Sequence, residues 1–142
     1  MLSQTARYAL RAMLHLAAKP KDEPQQIADI AEGASVPLKF LEQILLDLKH
    51  RGLVHSVRGR RGGYRDARNI DFAEIIRVID GPLALGPCAS RTAYRRCEDC
   101  TDEATCAIRK ALIDVRNSTA KILEQHSLAD ALADRRKMKP AA

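Results

Sequence analysis

Three short apolar stripes at helical spacing, each cut off by proline or glycine, occupy the first third of the chain and restrict what it can fold into. Leu10, Met13, Leu14 and Ala17 recur at i, i+3, i+4 and i+7, predicting a helix over 3–18. Lys19-Pro20-Lys21-Asp22-Glu23-Pro24 breaks it, and Ile27, Ile30, Ala31 and Ala34 repeat the spacing in a second, shorter helix. A third helix opens near Pro37, which a first turn tolerates. It buries Leu41, Ile44, Leu45 and Leu48, and ends at Gly52. Two of three helices joined by a turn as tight as Gly33-Ala34-Ser35 make a helix-turn-helix.

The chain then changes period. Leu53–Arg58 has strand composition, Gly59-Arg60-Arg61-Gly62-Gly63 is a turn, and Tyr64 resumes the strand, which predicts a β-hairpin wing. Asp71-Phe72-Ala73-Glu74 forms a capping box for a fourth helix with Phe72, Ile75, Ile76 and Ile79 inward, closed by Gly81-Pro82. From Gly81 to about Ala104 no periodicity is sustained. Then Ile108, Leu112, Val115, Thr119 and Ile122 fall at alternating intervals of four and three, a seam that needs a partner helix and favours a homodimer. Ser127-Leu128-Ala129-Asp130 caps a last short helix, and 135–142 is expected to be a frayed basic tail.

The expected fold is therefore mainly α: a winged helix-turn-helix with a β-hairpin wing and a long C-terminal dimerisation helix. The segments are 1–80 for the winged domain, 81–104 for a cysteine-rich loop, 105–126 for the dimerisation helix, and 127–142 for the short helix and tail.

Charge points to a partner. The net charge of the 142 residues is +6. Residues 1–70 carry 12 Lys/Arg against 7 Asp/Glu, net +5, whereas 71–142 carry 12 against 11, net +1. Six arginines and one acid lie between Arg51 and Arg68, a density suited to a phosphate backbone. With no Trp, three Tyr and two Phe, the chain lacks a stacking platform for single strands, so duplex DNA is the expected nucleic acid.

On the third helix, Lys39, Glu42, Gln43, Leu46, Lys49 and His50 remain outside once the apolar stripe is turned inward. Gln43 can pair with adenine, Glu42 can accept from the cytosine amino group, and Lys39 can reach guanine or phosphate. Glu42 has the alternative of pairing with Lys39 or Lys49. In the wing, Gly59 lets the backbone approach the duplex, while Arg58, Arg60 and Arg61 are phosphate or minor-groove candidates.

All four cysteines, Cys88, Cys97, Cys100 and Cys106, lie within 19 residues. No apolar run approaches the roughly 20 residues of a membrane span, so the chain is expected to be cytoplasmic and off the membrane. Structural disulfides are rare there, and metal or redox chemistry leads. Four thiolates suffice for a tetrahedral zinc or an iron–sulfur cluster. Spacings of 8, 2 and 5 residues provide only one close pair, which is not a zinc-ribbon pattern. Arg91, Arg95 and Arg96 in the same loop would favour thiolates or compensate an anionic cluster. His15, His55 and His126 are expected to be packing or surface residues. An enzyme is not expected: Cys97-Glu98-Asp99-Cys100 lacks a βαβ context, and neither a Cys–His pair nor a phosphate loop is evident.

Several segments together resemble one family: Arg7-Tyr8-Ala9-Leu10, Ile27-Ala28-Asp29-Ile30, Leu41-Glu42-Gln43-Ile44-Leu45 with Leu48, Gly52-Leu53-Val54, Ser56-Val57-Arg58-Gly59 and Gly62-Gly63-Tyr64. They are similar to the bacterial iron–sulfur winged-helix regulators that include IscR, NsrR and RirA. The resemblance implies a dimeric DNA-binding transcriptional regulator, usually a repressor, acting on a palindromic operator. It also implies base contacts from Glu42, wing contacts from Arg58, and an iron–sulfur cluster, [2Fe–2S] or [4Fe–4S], controlling DNA binding. Cys88, just after Gly86-Pro87, with Cys100 and Cys106 matches the family's three cysteines. The sequence also departs from it. Cys97 is extra and becomes the candidate fourth ligand, the interval from Cys88 to Cys100 is long, no histidine closely follows Cys106, and Arg7 stands where some members place an acidic ligand. A cluster-free thiol-redox or zinc-dependent regulator is the alternative.

Overall fold

The computed structural model describes residues 2–20, 22–59, 63–66 and 69–138. The elements are α1 (Gln4–Ala17), α2 (Ile27–Ala34), α3 (Leu38–His50), β1 (Val54–Val57), β2 (Gly63–Asp66), α4 (Phe72–Asp80), α5 (Ala107–Glu124) and α6 (Leu128–Lys137), with a short 3-10 turn at Pro87–Ala89.

Helix α1 starts where Ser3 Oγ accepts from the Ala6 amide at 3.0 Å, satisfying one of the four amides a helix start leaves unpaired. Its buried residues are Ala6, Ala9, Ala12, Met13 and Leu16. The expected stripe is thus only part of the contact: Leu10, Leu14 and Ala17 are half-buried flanks, and alanine lets neighbouring helices approach α1 along its centre. Helix α2 contributes Ile30 and Ala34, and α3 contributes Leu41, Ile44, Leu45 and Leu48, all four at most 1% exposed. Each such side chain contributes roughly 1.5–3 kcal/mol on burial.

Helices α2 and α3 are separated by three residues. Ser35, in the left-handed region at φ 54°, reverses the chain, and the Val36 amide donates back to Ala31 O at 2.9 Å. Beyond α3, Gly52 at φ +76° permits the paired closing bonds Gly52 N to Lys49 O, 3.0 Å, and Leu53 N to Leu48 O, 2.9 Å. That turn delivers the chain into β1. β1 and β2 pair antiparallel, from Val54 opposite Asp66 to Val57 opposite Gly63. Gly63 is required by a close approach: a Cβ there would stand 2.2 Å from Gln25 O. The turn end of the hairpin is thereby laid against the segment entering α2.

The predicted capping box opens α4, with Asp71 Oδ1 accepting from Glu74 N at 2.9 Å and Glu74 Oε2 accepting from Asp71 N at 3.0 Å. Ala73, Ile75 and Ile76 are buried, whereas Phe72 and Ile79 pack at the edge of the core. The C-terminal part of the chain returns to the first: Leu128 N donates to Ile70 O at 3.0 Å, Phe72 N donates to His126 O at 3.0 Å, and Leu128 is 3% exposed within the core. Ser127 caps α6 through its own capping box, and the helix runs through Lys137, longer than the frayed tail expected from residue 135 onward.

Candidate nucleic-acid interface and cysteine loop

Because Leu41, Ile44, Leu45 and Leu48 turn inward, α3 presents Lys39, Glu42, Gln43, Leu46, Lys49 and His50 to solvent. Two of these are already organised. Gln43 Nε2 donates to Asp47 Oδ1 at 2.9 Å, fixing the amide plane and leaving its oxygen free to accept. Lys39 Nζ lies 4.9 Å from the centre of the Phe40 ring. Glu42 makes no ion pair with Lys39 or Lys49 among the described residues, so its carboxylate is open to an external donor. Leu46 is 42% exposed in the middle of this polar face.

Beside the start of α3, Phe40 packs on Tyr8 with ring centres 5.7 Å apart, and the Arg11 guanidinium lies 5.8 Å from the Tyr8 ring while donating to Ser35 O at 3.3 Å. The apolar periodicity of α1 gave no reason to single out Tyr8 and Arg11, since this cluster exists only once α1 and α3 cross. Arg58 and Gly59 follow β1 and are exposed, Gly59 at φ +107°. Arg60 and Arg61 lie outside the described residues.

The cysteine loop leaves α4 at Gly81 and reaches α5 at Cys106. Cys88 sits in the 3-10 turn and is 6% exposed. Two arginines of α5 grip that turn by its carbonyls: Arg109 Nε donates to Cys88 O at 3.1 Å, and Arg116 Nη1 donates to Ala89 O. Sequence reasoning missed both, because periodicity records which side chains are apolar and not where a long cation bonds. Cys106 caps α5, its Sγ accepting from Arg109 N at 3.3 Å. Of the arginines expected to attend the thiols, Arg96 donates to Cys100 O at 3.2 Å and Thr101 O at 3.4 Å, and Arg91 donates to Asn117 Oδ1 at 3.4 Å. Tyr94 donates to Glu103 across the loop, a bond that holds the phenol above its usual range.

The cysteines are on one loop but not in one cage. Cys97 is exposed, and interaction with the neighbouring Cys88 side chain, followed by the charge of Cys88, raises the Cys97 thiol above the usual range. Among the described residues, no three His, Cys, Asp or Glu side chains stand close enough to hold one metal ion. The donor chemistry suits a thiolate-ligated group, while the described side chains do not stand as a preformed metal cage.

A compact three-helix head with an exposed polar α3 face, an adjoining hairpin and a separate cysteine loop belongs to the class of helix-turn-helix DNA-binding regulators. The profile of the Rrf2 family, described as iron-dependent transcriptional regulators, matches residues 2–134, and the chain belongs to that family. It is a DNA-binding transcriptional regulator and not an enzyme. It is 45% identical over 139 residues to an rrf2-like HTH-type transcriptional regulator of Rhodobacter capsulatus, covering 94% of this chain and 93% of that one. The HTH-type transcriptional regulator IscR of Vibrio parahaemolyticus is 31% identical, over 94% of this chain and 77% of its own. Two solved structures are similar throughout. They are IscR of T. potens, with TM-score 0.77, 28% identity and 100% and 93% of the two chains covered, and CymR, the global cysteine regulator of B. subtilis, with 0.73, 30%, 94% and 96%. No described helix is long and apolar enough to cross a membrane.

Proposed function

We propose that the chain is a dimeric repressor that reads a palindromic operator through α3 and the β1–β2 wing, and that the Cys88–Cys106 loop controls its binding. The observation that carries the operator reading is the exposed face of α3, where Glu42 has no ion pair among the described residues, Gln43 is oriented by Asp47, and Lys39 flanks both. Glu42 selects a base amino group, Gln43 and Lys39 contact adenine and guanine or phosphate, and Arg58 with Gly59, Arg60 and Arg61 holds the backbone or minor groove. The α5 stripe joins the two copies, which sets the half-sites about one duplex turn, roughly 34 Å, apart. The test starts from an operator selected out of random duplex DNA. Glu42→Ala should relax preference at one base pair, while Arg58→Ala should weaken all sequences alike and lower the salt slope by about one. Unchanged selectivity and salt slope would overturn the assignment.

The likeness to IscR supports an iron–sulfur cluster as the controlling group, with Cys88, Cys100 and Cys106 as donors and Cys97 as the fourth. Such a group would supply sensitivity to iron supply or oxidants. A visible spectrum with iron and sulfide analysis of protein purified without oxygen tests it, and colourless, iron-free protein rejects it. The influence of Cys88 on the Cys97 thiol favours a second reading, cluster-free thiol control. Hydrogen peroxide would take two electrons and two protons from the two thiols, forming a Cys88–Cys97 disulfide and two waters. A Cys88–Cys97 cross-linked peptide accompanied by changed operator affinity supports it.

A further inference from the structure

Beside the cysteine loop, α4 and α5 enclose a cleft of about 410 Å³ with an unbalanced charge. Its charged walls are Arg77 from α4, Arg91 from the loop, and Arg116, Lys121 and Glu124 from α5. Arg77 is paired with Glu124 at 2.7 Å, which occupies the single lining carboxylate. Arg116 is tied to Ala89 O and, through Nε and Nη2 at 3.1 and 2.8 Å, to Asn117 Oδ1. Among the described residues, Arg91 keeps only its 3.4 Å bond to the same oxygen. The Lys121 ammonium makes no ion pair among the described residues. Three cations from two segments thus face one cleft without a carboxylate partner.

Cations crowded in this way repel one another, and a bound anion with several oxygens relieves the repulsion while accepting charge-assisted bonds from guanidinium forks. The volume is that of a small-molecule site. The cleft also stays clear of the apolar stripe on α5. Asn117 follows Val115, and Glu124 follows Ile122, by two positions, about 200° of helical turn, so stripe and cleft occupy opposite flanks of α5. A second copy covering Ile108, Val115 and Ile122 leaves the cleft open.

We infer that this cleft is a binding site for a small multivalent anion, a phosphate ester or a di- or tricarboxylate, held by Arg91, Arg116 and Lys121. A ligand there touches the loop, α5 and, beside Arg77, the last turns of α4. Isothermal titration of the full chain with inorganic phosphate and with citrate, against acetate at matched ionic strength, tests the site. One saturable site per chain for phosphate or citrate, and none for acetate, is expected. The tighter of the two identifies the phosphate or the carboxylate source. Arg91→Gln and Lys121→Gln should each raise Kd about tenfold, the loss of one charge-assisted bond. Both side chains lie at the surface, so their ligand-free melting points should match the parent, and Arg135→Gln on α6 should bind as the parent does. Absence of saturable binding, or equal weakening by Arg135→Gln, overturns the inference. Weakening of duplex DNA by Arg91→Gln and Lys121→Gln with no effect on phosphate or citrate overturns it too, reassigning the cations to the DNA backbone.

Discussion

Helices α3 and α5 are both amphipathic, and the chain treats them in opposite ways. α3 has 13 residues, and its four inward side chains are at most 1% exposed. α5 has 18 residues and buries none of them completely; Ile108, Val115 and Ile122 are 72%, 43% and 56% exposed. A helix that is finished within its own chain stabilises the fold. One left with an apolar stripe every seventh residue is finished by something else, here proposed to be the same helix of a second copy.

The largest expected effect breaks α3. Leu45→Ala removes a fully buried side chain and should cost about 2–5 kcal/mol in urea unfolding, whereas Ile108→Ala should change the stability of the head by less than about 0.5 kcal/mol. Equal losses would mean that α5 is as much part of the core as α3. Next, Ile122→Asp places a charge within the proposed seam. It should raise the dimer dissociation constant roughly a hundredfold, about 3 kcal/mol, read by sedimentation, with the urea midpoint of the head retained. A chain already monomeric before the change would remove the dimer from the proposal.

A smaller effect separates two exposed side chains of equal exposure. Leu46 on α3 is 42% exposed and Val115 on α5 is 43% exposed, yet Leu46 stands among Lys39, Glu42 and Gln43, where the proposed operator contact offers a thymine methyl as apolar partner. Leu46→Ala should weaken operator binding by about 1 kcal/mol, close to the value of a buried methylene or two, without altering the dimer. The parent, but not the variant, should distinguish thymine from uracil at one operator position.

The helix-turn-helix was legible because its signals are local: apolar spacing, Gly52 past the end of α3, and the Asp71–Glu74 box each rest on residues near in the chain. The outward residues of α3 came by elimination. What the sequence did not carry was anything that depends on elements crossing. The Tyr8–Phe40–Arg11 cluster needs α1 against α3, and the grip of Arg109 and Arg116 on the Cys88 turn needs a helix that begins well beyond that cysteine. The cysteine spacing announced a thiol-rich loop, but its conformation is set by arginine-to-carbonyl bonds that have no periodic signature.

The smallest effect concerns the interior of the head itself. His15 lies in α1 against Gly33 of α2, so close that a Cβ at position 33 would stand 2.1 Å from its Cε1, and its Nε2 is buried without a partner among the described residues. Burial, and then Lys19, hold this imidazole below its ordinary 6.5, with Asp29 opposing. The unfolded chain takes up the proton near 6.5, and the folded chain only at lower pH. Between those values the unfolded state binds more protons, so His15 makes stability fall as pH drops through 6.5 and leaves it unaffected well above. His15→Gln should flatten that limb of the stability curve measured by urea midpoints from about pH 7.5 to about pH 5. An Ile108→Ala background should show the same slope as the parent, because Ile108 is 72% exposed on α5 while His15 is set against Gly33 of α2. If the limb persists after His15→Gln, the proton is taken up elsewhere, and the His15 imidazole is not what makes the head acid-sensitive.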